Sequence, residues 1–391
     1  MGTELGRVQR AAAVALQEAR SGLRSWGVRL AYVIGARPNL VKMAPVVRAL
    51  QARLPEARHV LIHTGQHYDR RMSGEIMDEL GLPEPDHMLG VGSASHAQQT
   101  ARTMERIEPV LEAEQPDVVI VPGDVNSTLA VTLVAAKLGL ALAHLESGLR
   151  SFDRGMPEEI NRIVADEFAT YLFLHCDDAI ENLRREGIEQ ERMHFVGNTM
   201  IDSLVEVMPR LPAAPAERFG LAPGGYLLVT LHRPALVDGP LLAETLRALG
   251  DVARGLPVLF PVHPRTRKMV KGAAIPPGLH LTEPLGYLEF LALERDAAAV
   301  LTDSGGVQEE TTYLGVPCFT LRENTERPVT IRLGTNRLLG LEPARIAEIP
   351  ALLERLPARP PQLPPMWDGK AAVRVADVLE QALRAGALQA A

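Results

Sequence analysis

Residues 117–146 read DVVIVPGDVNSTLAVTLVAAKLGLALAHLE. Two short apolar runs, Asp117–Val121 and Leu140–His144, flank a helix-length segment. The runs are nearly continuous in aliphatic residues instead of alternating with polar ones. Strands buried on both faces read this way, as in a parallel sheet covered by helices. Outward from this stretch the pattern repeats. Val28–Ile34 and His59–His63 precede it, and Tyr226–Leu231, Pro257–Val262, Leu279–Thr282, Ala298–Thr302 and Val316–Leu321 follow. Amphipathic, helix-length segments separate most of them. Strand, helix, strand repetition defines a doubly wound α/β protein.

The chain of 391 residues exceeds one ordinary core, since a domain holds about 150 residues. A Pro-, Ala- and Gly-rich stretch, PRLPAAPAERFGLAPGG at 209–225, places a junction between the halves, and Phe195–Leu204 reads as the crossover. A second Pro-rich stretch, Leu356–Pro365, precedes a final helical segment, Lys370–Leu388. The first 27 residues are Ala- and Arg-rich with interspersed glutamates, which reads as a surface helix or extension and not a secretory leader. No apolar run has the ~20 residues of a membrane span. The two cysteines, Cys176 and Cys318, lie in apolar surroundings and read as buried free thiols, so a cytoplasmic protein is expected. The net charge of -7 argues against nucleic acid as a partner. A local basic pocket for one diphosphate remains compatible with it.

Polar residues follow the strand ends. In the first half these are Gly35–Asn39, Thr64–His67, Gly123–Thr128 and His144–Glu146; in the second, His232–Pro234, His263–Pro264 and Asp303–Gly306. Open α/β sheets bind ligands outside the carboxyl ends of their strands. Two such rims facing each other make a cleft.

Asp303-Ser304-Gly305-Gly306, followed by a helix carrying Glu310, is a phosphate signal. Paired glycines let backbone N–H groups approach an anion, and the helix adds the positive end of its dipole. A serine-capped helix after a glycine turn reads the same way. Neither the P-loop pattern nor the dinucleotide fingerprint is present, so nucleotide hydrolysis and nicotinamide chemistry lack their usual markers. Arg37 and Lys42 flank the first strand-to-helix turn, as phosphate ligands or as solvated cations. Arg322 and Arg327 add positive charge from the other half. Asp124 and Glu146 follow adjacent strands; Glu158 and Glu159 open a helix after Pro157. Such acids are either proton-transfer groups or partners of a helix dipole. His232 and His263 end strands as phosphate donors or proton shuttles. His59, His87, His175, His194 and His280 read as structural. No metal-ligand spacing occurs, and no metal is expected.

Taken together, GARPNLVKMAP, TGQHYD, GDVNSTLA, HLESGLRS, MPEEINR, VGNTMID, LHRP, PVHPRTR, TDSGGVQEE and RENTERP, from about Val28 to about Gly340, resemble the non-hydrolysing UDP-N-acetylglucosamine 2-epimerases. The resemblance implies two Rossmann-like domains in a glycosyltransferase-B-like arrangement, a homodimer and no cofactor. It implies domains at 28–196 and 197–371, with the last helix, 372–391, packing back on the first domain. It places catalytic residues at Asp124, Glu146, Glu158 and His232. UDP contacts fall on Arg37, Lys42, His263, Phe290, Ser304, Gly305, Gly306, Glu310 and Arg327. Gln66, His67 and Arg71 match the region where bacterial members bind a second substrate molecule as effector.

Many members read T-R-P-E in the first turn, where this chain has Ala36-Arg37-Pro38-Asn39. Similar turns occur in relatives acting on UDP-2,3-diacetamido-glucuronate, so the region of Asn39 is expected to read the sugar. The implied reaction is C2 epimerisation through a glycal. The alternatives are a modified-sugar epimerase, a hydrolysing epimerase, a glycosyltransferase of the same fold, and an inactive nucleotide-sugar sensor.

Overall fold

The computed structural model describes residues 27–65, 70–232, 241–262, 275–356 and 362–386, together with Leu236, Arg267 and Val270. Among the described residues thirteen strands form two sheets, and their pairings are all parallel. The first sheet holds β1 (Arg29–Ile34), β2 (Arg58–His63), β3 (His87–Met88), β4 (Val118–Pro122), β5 (Ala141–Leu145), β6 (Tyr171–Leu174) and β7 (Met193–Phe195). Their order is β3-β2-β1-β4-β5-β6-β7. The second sheet holds β8 (Leu227–Thr230), β9 (Val258–Pro261), β10 (Leu279–Thr282), β11 (Ala299–Thr302), β12 (Cys318–Thr320) and β13 (Asn336–Leu338), ordered β10-β9-β8-β11-β12-β13. In both sheets the strand order reverses at one point: between β1 and β4, and between β8 and β11. Those reversals open a crevice at the carboxyl ends.

The helices that matter for the site are α1 (Arg37–Arg53), α2 (Arg70–Glu79), α3 (His96–Glu114), α4 (Asn126–Lys137), α5 (Pro157–Phe168), α6 (Asp177–Arg185), α7 (Thr199–Val207), α8 (Leu241–Ala253), α9 (Tyr287–Arg295), α10 (Gly305–Leu314) and α11 (Ala371–Arg384). The strand period of two sorts the core. Leu30, Tyr32 and Ile34 of β1 pack with Leu40, Met43 and Val47 of α1. Ala31 and Val33 face the other side, with Ile107 and Leu111 of α3 and Val131 of α4. Covering both faces explains the continuous apolar runs; each buried Leu, Ile or Val contributes ~1.5–3 kcal/mol. In the second half, Leu227 and Val229 pack toward α8 and Leu228 toward α9.

Four strands escaped the sequence reading. β3, β7 and β13 span two or three residues, too few to carry a period. β6 follows α5 after only Ala169 and Thr170, with no glycine or proline to mark the change. The crossover segment forms α7. Its Met200, Leu204 and Val207 share a core with α1 and with Tyr287 and Leu291 of α9, so one apolar cluster spans the two halves.

The last helix lies against the first sheet's helices. Ala372, Val375, Ala376 and Leu379 of α11 join the α1 core. The Asp202 carboxylate in α7 accepts from the N–H groups of Ala371 at 3.1 Å and Ala372 at 2.7 Å, capping α11 from another element. Trp367, just before α11, donates from Nε1 to the His175 carbonyl at 2.8 Å. Cys176 and Cys318 are buried free thiols. Among the described residues no helix is long and apolar enough to cross a membrane.

Candidate active site

The crevice is built at the two strand-order reversals. At the end of β1, the chain turns through Gly35–Asn39 into α1. The Asn39 side chain is buried. Its Oδ1 accepts from the N–H groups of Gly35 and Ala36, both at 3.1 Å, and its Nδ2 donates to the Pro122 carbonyl at 3.1 Å. Asn39 therefore ties the first turn to the end of β4, with its amide committed to backbone. An asparagine supplies both the acceptor and the donor this junction needs, and a glutamate carboxylate supplies only the acceptor.

Lys42 is not a solvated cation. It is 6% exposed, and its Nζ contacts Glu146 Oε2. Burial, with Arg327 adding repulsion, pulls its pKa down to about 8. Arg37 is half-buried. Burial lowers its pKa, and the opposing pull comes first from Glu310, then from Tyr287 and Glu79. Glu310 lies on α10 of the second half, so Arg37 faces across the cleft.

Asp124 follows β4. Arg162 Nε donates to its Oδ2 at 2.9 Å, and Asn161 Nδ2 donates to its carbonyl at 2.8 Å. Burial would raise its pKa, but Arg162, Lys42 and Arg327 outweigh this and hold the carboxyl below its ordinary value. Asp124 is thus ionised, and its side chain keeps 24% exposure, enough for a ligand to reach. Gly123 has φ +63°, and a Cβ there would stand 3.2 Å from Lys42 Nζ and 3.5 Å from Glu146 Oε2. Gly123→Ala is expected to push that pair aside and lower kcat about 10- to 100-fold. Its thermal stability should fall by only ~1–2 kcal/mol, the cost of a left-handed alanine. Steady-state kinetics beside a melting curve checks the split.

The neighbouring acids of α5 separate clearly. Glu159 is buried; it accepts from Ser151 N–H at 2.9 Å and Phe152 N–H at 2.8 Å and pairs with Arg162. It shapes the loop before α5. Glu158 is half-buried at the start of α5.

In the second half, β8 and β11 end side by side. The His232 N–H donates to Asp303 Oδ2 at 2.9 Å, and its Nδ1 lies 2.7 Å from Asp303 Oδ1. The buried Asp303 carboxylate therefore orients a ring that is 62% exposed. Ser304 is the N-cap of α10, yet its side chain makes no capping bond; the reading of a serine-capped helix is not realised. A Cβ at Gly305 would collide with the Arg327 guanidinium, and one at Gly306 would lie 3.1 Å from Met200 of α7. Gly306 thus also permits close packing of α10 on α7, the helix that shares a core with α1. Tyr287 donates its hydroxyl to Glu310 Oε1 at 3.3 Å. Burial raises Glu310's pKa to about 8 against the pull of Arg37. Phe290 is half-buried on the core of the second sheet.

Arg327 sits where the halves meet. It is held by three carboxylates: Glu146, Glu326 and, at 3.0 Å from Nε, Glu309. Arg322, in turn, donates to Glu326 at 2.7 Å. Burial raises the pKa of Glu309 less than Arg327 and His175 lower it, and the result is about 2. Glu309, Glu326, Arg162 and His175 were not singled out as site residues from sequence. EE and ERP in the two motifs carried the signal, but only one acid of the first and one arginine of the second were taken up. His263, Gln66 and His67 lie outside the described residues, as does the Arg71 side chain. No group of three potential metal ligands occurs among the described residues.

Two doubly wound parallel sheets with facing carboxyl ends define a glycosyltransferase-B-like α/β fold. The model of the UDP-N-acetylglucosamine 2-epimerase family matches residues 48–380. The chain belongs to that family. It is 42% identical over 326 residues to the UDP-N-acetylglucosamine 2-epimerase of Methanocaldococcus jannaschii, covering 80% of this chain and 88% of the relative. It is 40% identical over 328 residues to the UDP-2,3-diacetamido-2,3-dideoxy-D-glucuronate 2-epimerase of Pseudomonas aeruginosa, covering 82% and 91%. The crystal structure of the M. jannaschii UDP-GlcNAc 2-epimerase in complex with UDP-GlcNAc and UDP is similar to it with a TM-score of 0.81 and 38% identity, covering 90% of this chain and all of that one.

Proposed function

We propose that this chain interconverts UDP-N-acetylglucosamine and UDP-N-acetylmannosamine by eliminating and re-adding UDP. The observation that carries the reading is one juxtaposition. Two carboxylates of the first half, Asp124 and Glu146, stand among Lys42, Arg162 and Arg327, and Arg327 is shared with Glu309 of α10 in the second half, which also carries the Asp303-oriented His232.

The C2 proton of the sugar is not adjacent to a carbonyl, so direct removal is very unfavourable. Loosening the C1–O bond gives C1 oxocarbenium character, which acidifies C2–H. The C1–O electron pair leaves with UDP, the C2 proton goes to a carboxylate, and a glycal remains. Attack of the UDP oxygen on C1, with protonation of C2 from the other face, inverts the centre. No electrons are gained or lost overall, so no redox cofactor is required. Asp124, held ionised by its cations, suits the base. Glu146 and Glu158 serve proton transfer and oxocarbenium stabilisation. Arg37, Lys42, His232, His263 and the Ser304–Gly306 turn hold the diphosphate. Glu310 meets the ribose and Phe290 the uracil. Arg327 acts on Glu146 more than on UDP.

The reading extends to a cytoplasmic homodimer with domains at 28–196 and 197–371 and the last helix counted with the first. It leaves Gln66, His67 and Arg71 as an effector site. A hyperbolic rate curve without activation by substrate would remove the effector assignment.

The test is incubation with UDP-N-acetylglucosamine in heavy water, followed by NMR. Deuterium at C2 and a UDP-N-acetylmannosamine product are expected. Free sugar plus UDP marks a hydrolysing enzyme, and an unchanged substrate another sugar or another function.

Lys42 also sets a pH dependence. Its proton is present below about 8 and lost above it. The Kd for UDP should therefore rise as pH passes that value, by up to about tenfold per unit. Calorimetric titration at several pH values checks it, and Lys42→Met should flatten the curve.

A further inference from the structure

His175 follows β6 of the first half, and its side chain is 3% exposed. Its Nε2 lies 3.1 Å from Oε1 of Glu309, a fully buried acid on α10 of the second half. The same Oε1 lies 3.0 Å from Arg327 Nε, and Arg327 in turn contacts Glu146. A line of contacts therefore runs from His175 through Glu309 and Arg327 to one oxygen of Glu146, whose other oxygen is held by Lys42. The imidazole stacks on Trp367, with ring centroids 6.1 Å apart, which fixes its plane. His175 also shares a small cavity with Lys42, Glu146 and Asn198.

Among the described residues, ion pairs join Lys42, Arg322 and Arg327 to Glu146, Glu309 and Glu326, separately from the group of Arg162 with Asp124 and Glu159, and Glu309 links the first group to His175. The groups facing its ring are Glu309 from α10, the adjacent Cys176, Asp178 at the start of α6, and Lys42 and Glu146 across the cavity. Burial disfavours its charge, but Cys176 and Glu309 outweigh that, and its pKa stands at about 9.

We propose that His175 is a positioning residue: as an imidazolium paired with Glu309, it sets through Arg327 the placement and proton affinity of Glu146. Removing the charge leaves Arg327 as the cation in contact with Glu309, with Lys42 acting from farther off. Arg327 is then drawn toward Glu309 and away from Glu146. The inference rests on Glu146 acting in the proposed reaction, but its physical content is testable without turnover.

The first measurement uses the unmodified protein. Its ¹⁵N-histidine spectrum at pH 7.5, assigned with His175→Gln, should show His175 doubly protonated; a neutral ring overturns the proposal. The second is the carboxyl-¹³C titration of Glu146, assigned with Glu146→Gln. In His175→Gln the Glu146 pKa should rise by about one unit; an unmoved titration overturns the proposal. The third is kinetic. His175→Gln should lower kcat about tenfold with KM for UDP-N-acetylglucosamine unchanged. In the Glu146→Gln background it should cost nothing further. Equal losses in both backgrounds, or a loss in KM alone, identify a merely structural histidine. If the unmodified protein binds UDP yet leaves the sugar unchanged, the proposed function fails, and the two titrations still decide the role of His175.

Discussion

Asp124→Asn should abolish deuterium exchange at C2 while leaving UDP bound. The expected loss in kcat is ~10²–10⁴-fold, the range for removing a general base. The physical ground is local. Asp124 is ionised because Arg162, Lys42 and Arg327 together outweigh its burial. An asparagine keeps an oxygen for Arg162 Nε, now 2.9 Å from Oδ2, so the surrounding loop should hold. It cannot accept the C2 proton. The proposed UDP contacts, Arg37, Lys42 and the Ser304 turn, are untouched, so the Kd for UDP should stay within about twofold. NMR in heavy water and calorimetric UDP titration measure the two quantities separately. Full exchange in this variant would sink the catalytic assignment of Asp124. Loss of UDP binding together with exchange would make Asp124 a structural support of the cleft.

Arg327→Ala should be the most destabilising single change in the cleft. It leaves Glu146, Glu309 and Glu326 without a shared cation. Breaking a buried ion pair from one side costs ~3–5 kcal/mol, which corresponds to a melting temperature lower by about 6–20 °C. The pH dependence has a definite sign. In the unmodified protein Arg327 helps hold Glu309 down to about 2, so that contribution is present above the ordinary carboxylate value of 4.5 and lost as pH falls toward about 2. In the variant the acids are raised instead, and protonating them relieves the folded state. The gap between the two proteins should therefore be widest near neutral pH and narrow below about 4.5. Arg327→Lys should recover only part of it, because an ammonium is a point charge and cannot fork toward three carboxylates. An unchanged melting curve at pH 7 would mean that the network contributes nothing net.

Both results depend on contacts between residues far apart in the chain, and here the sequence and the structure part company. Aliphatic runs such as Val118–Pro122 and Ala141–Leu145 announce strands because each needs only its own residues to be read. The chemistry at the strand ends is equally local, so Asp124, Glu146, His232 and Ser304 were legible, and the order of the motifs pointed to the family. β6 was not legible, since nothing in its own residues separates it from the helix before it.

What the sequence determined, then, is two doubly wound halves and the polar residues that rim each one. What only the tertiary structure decided is which charge meets which. Lys42 and Glu146 are 104 residues apart, and Arg327 and Glu146 are 181 apart. Asn39 ties the first turn to the end of β4, 83 residues away. Arg327 is held by three acids, and His175, read from sequence as structural, lies against one of them. The reason is physical. A residue's own side chain and neighbours set its period and its turn chemistry. A buried charge takes its role from whatever the closed fold places within about 4 Å of it, and no local pattern records that distance.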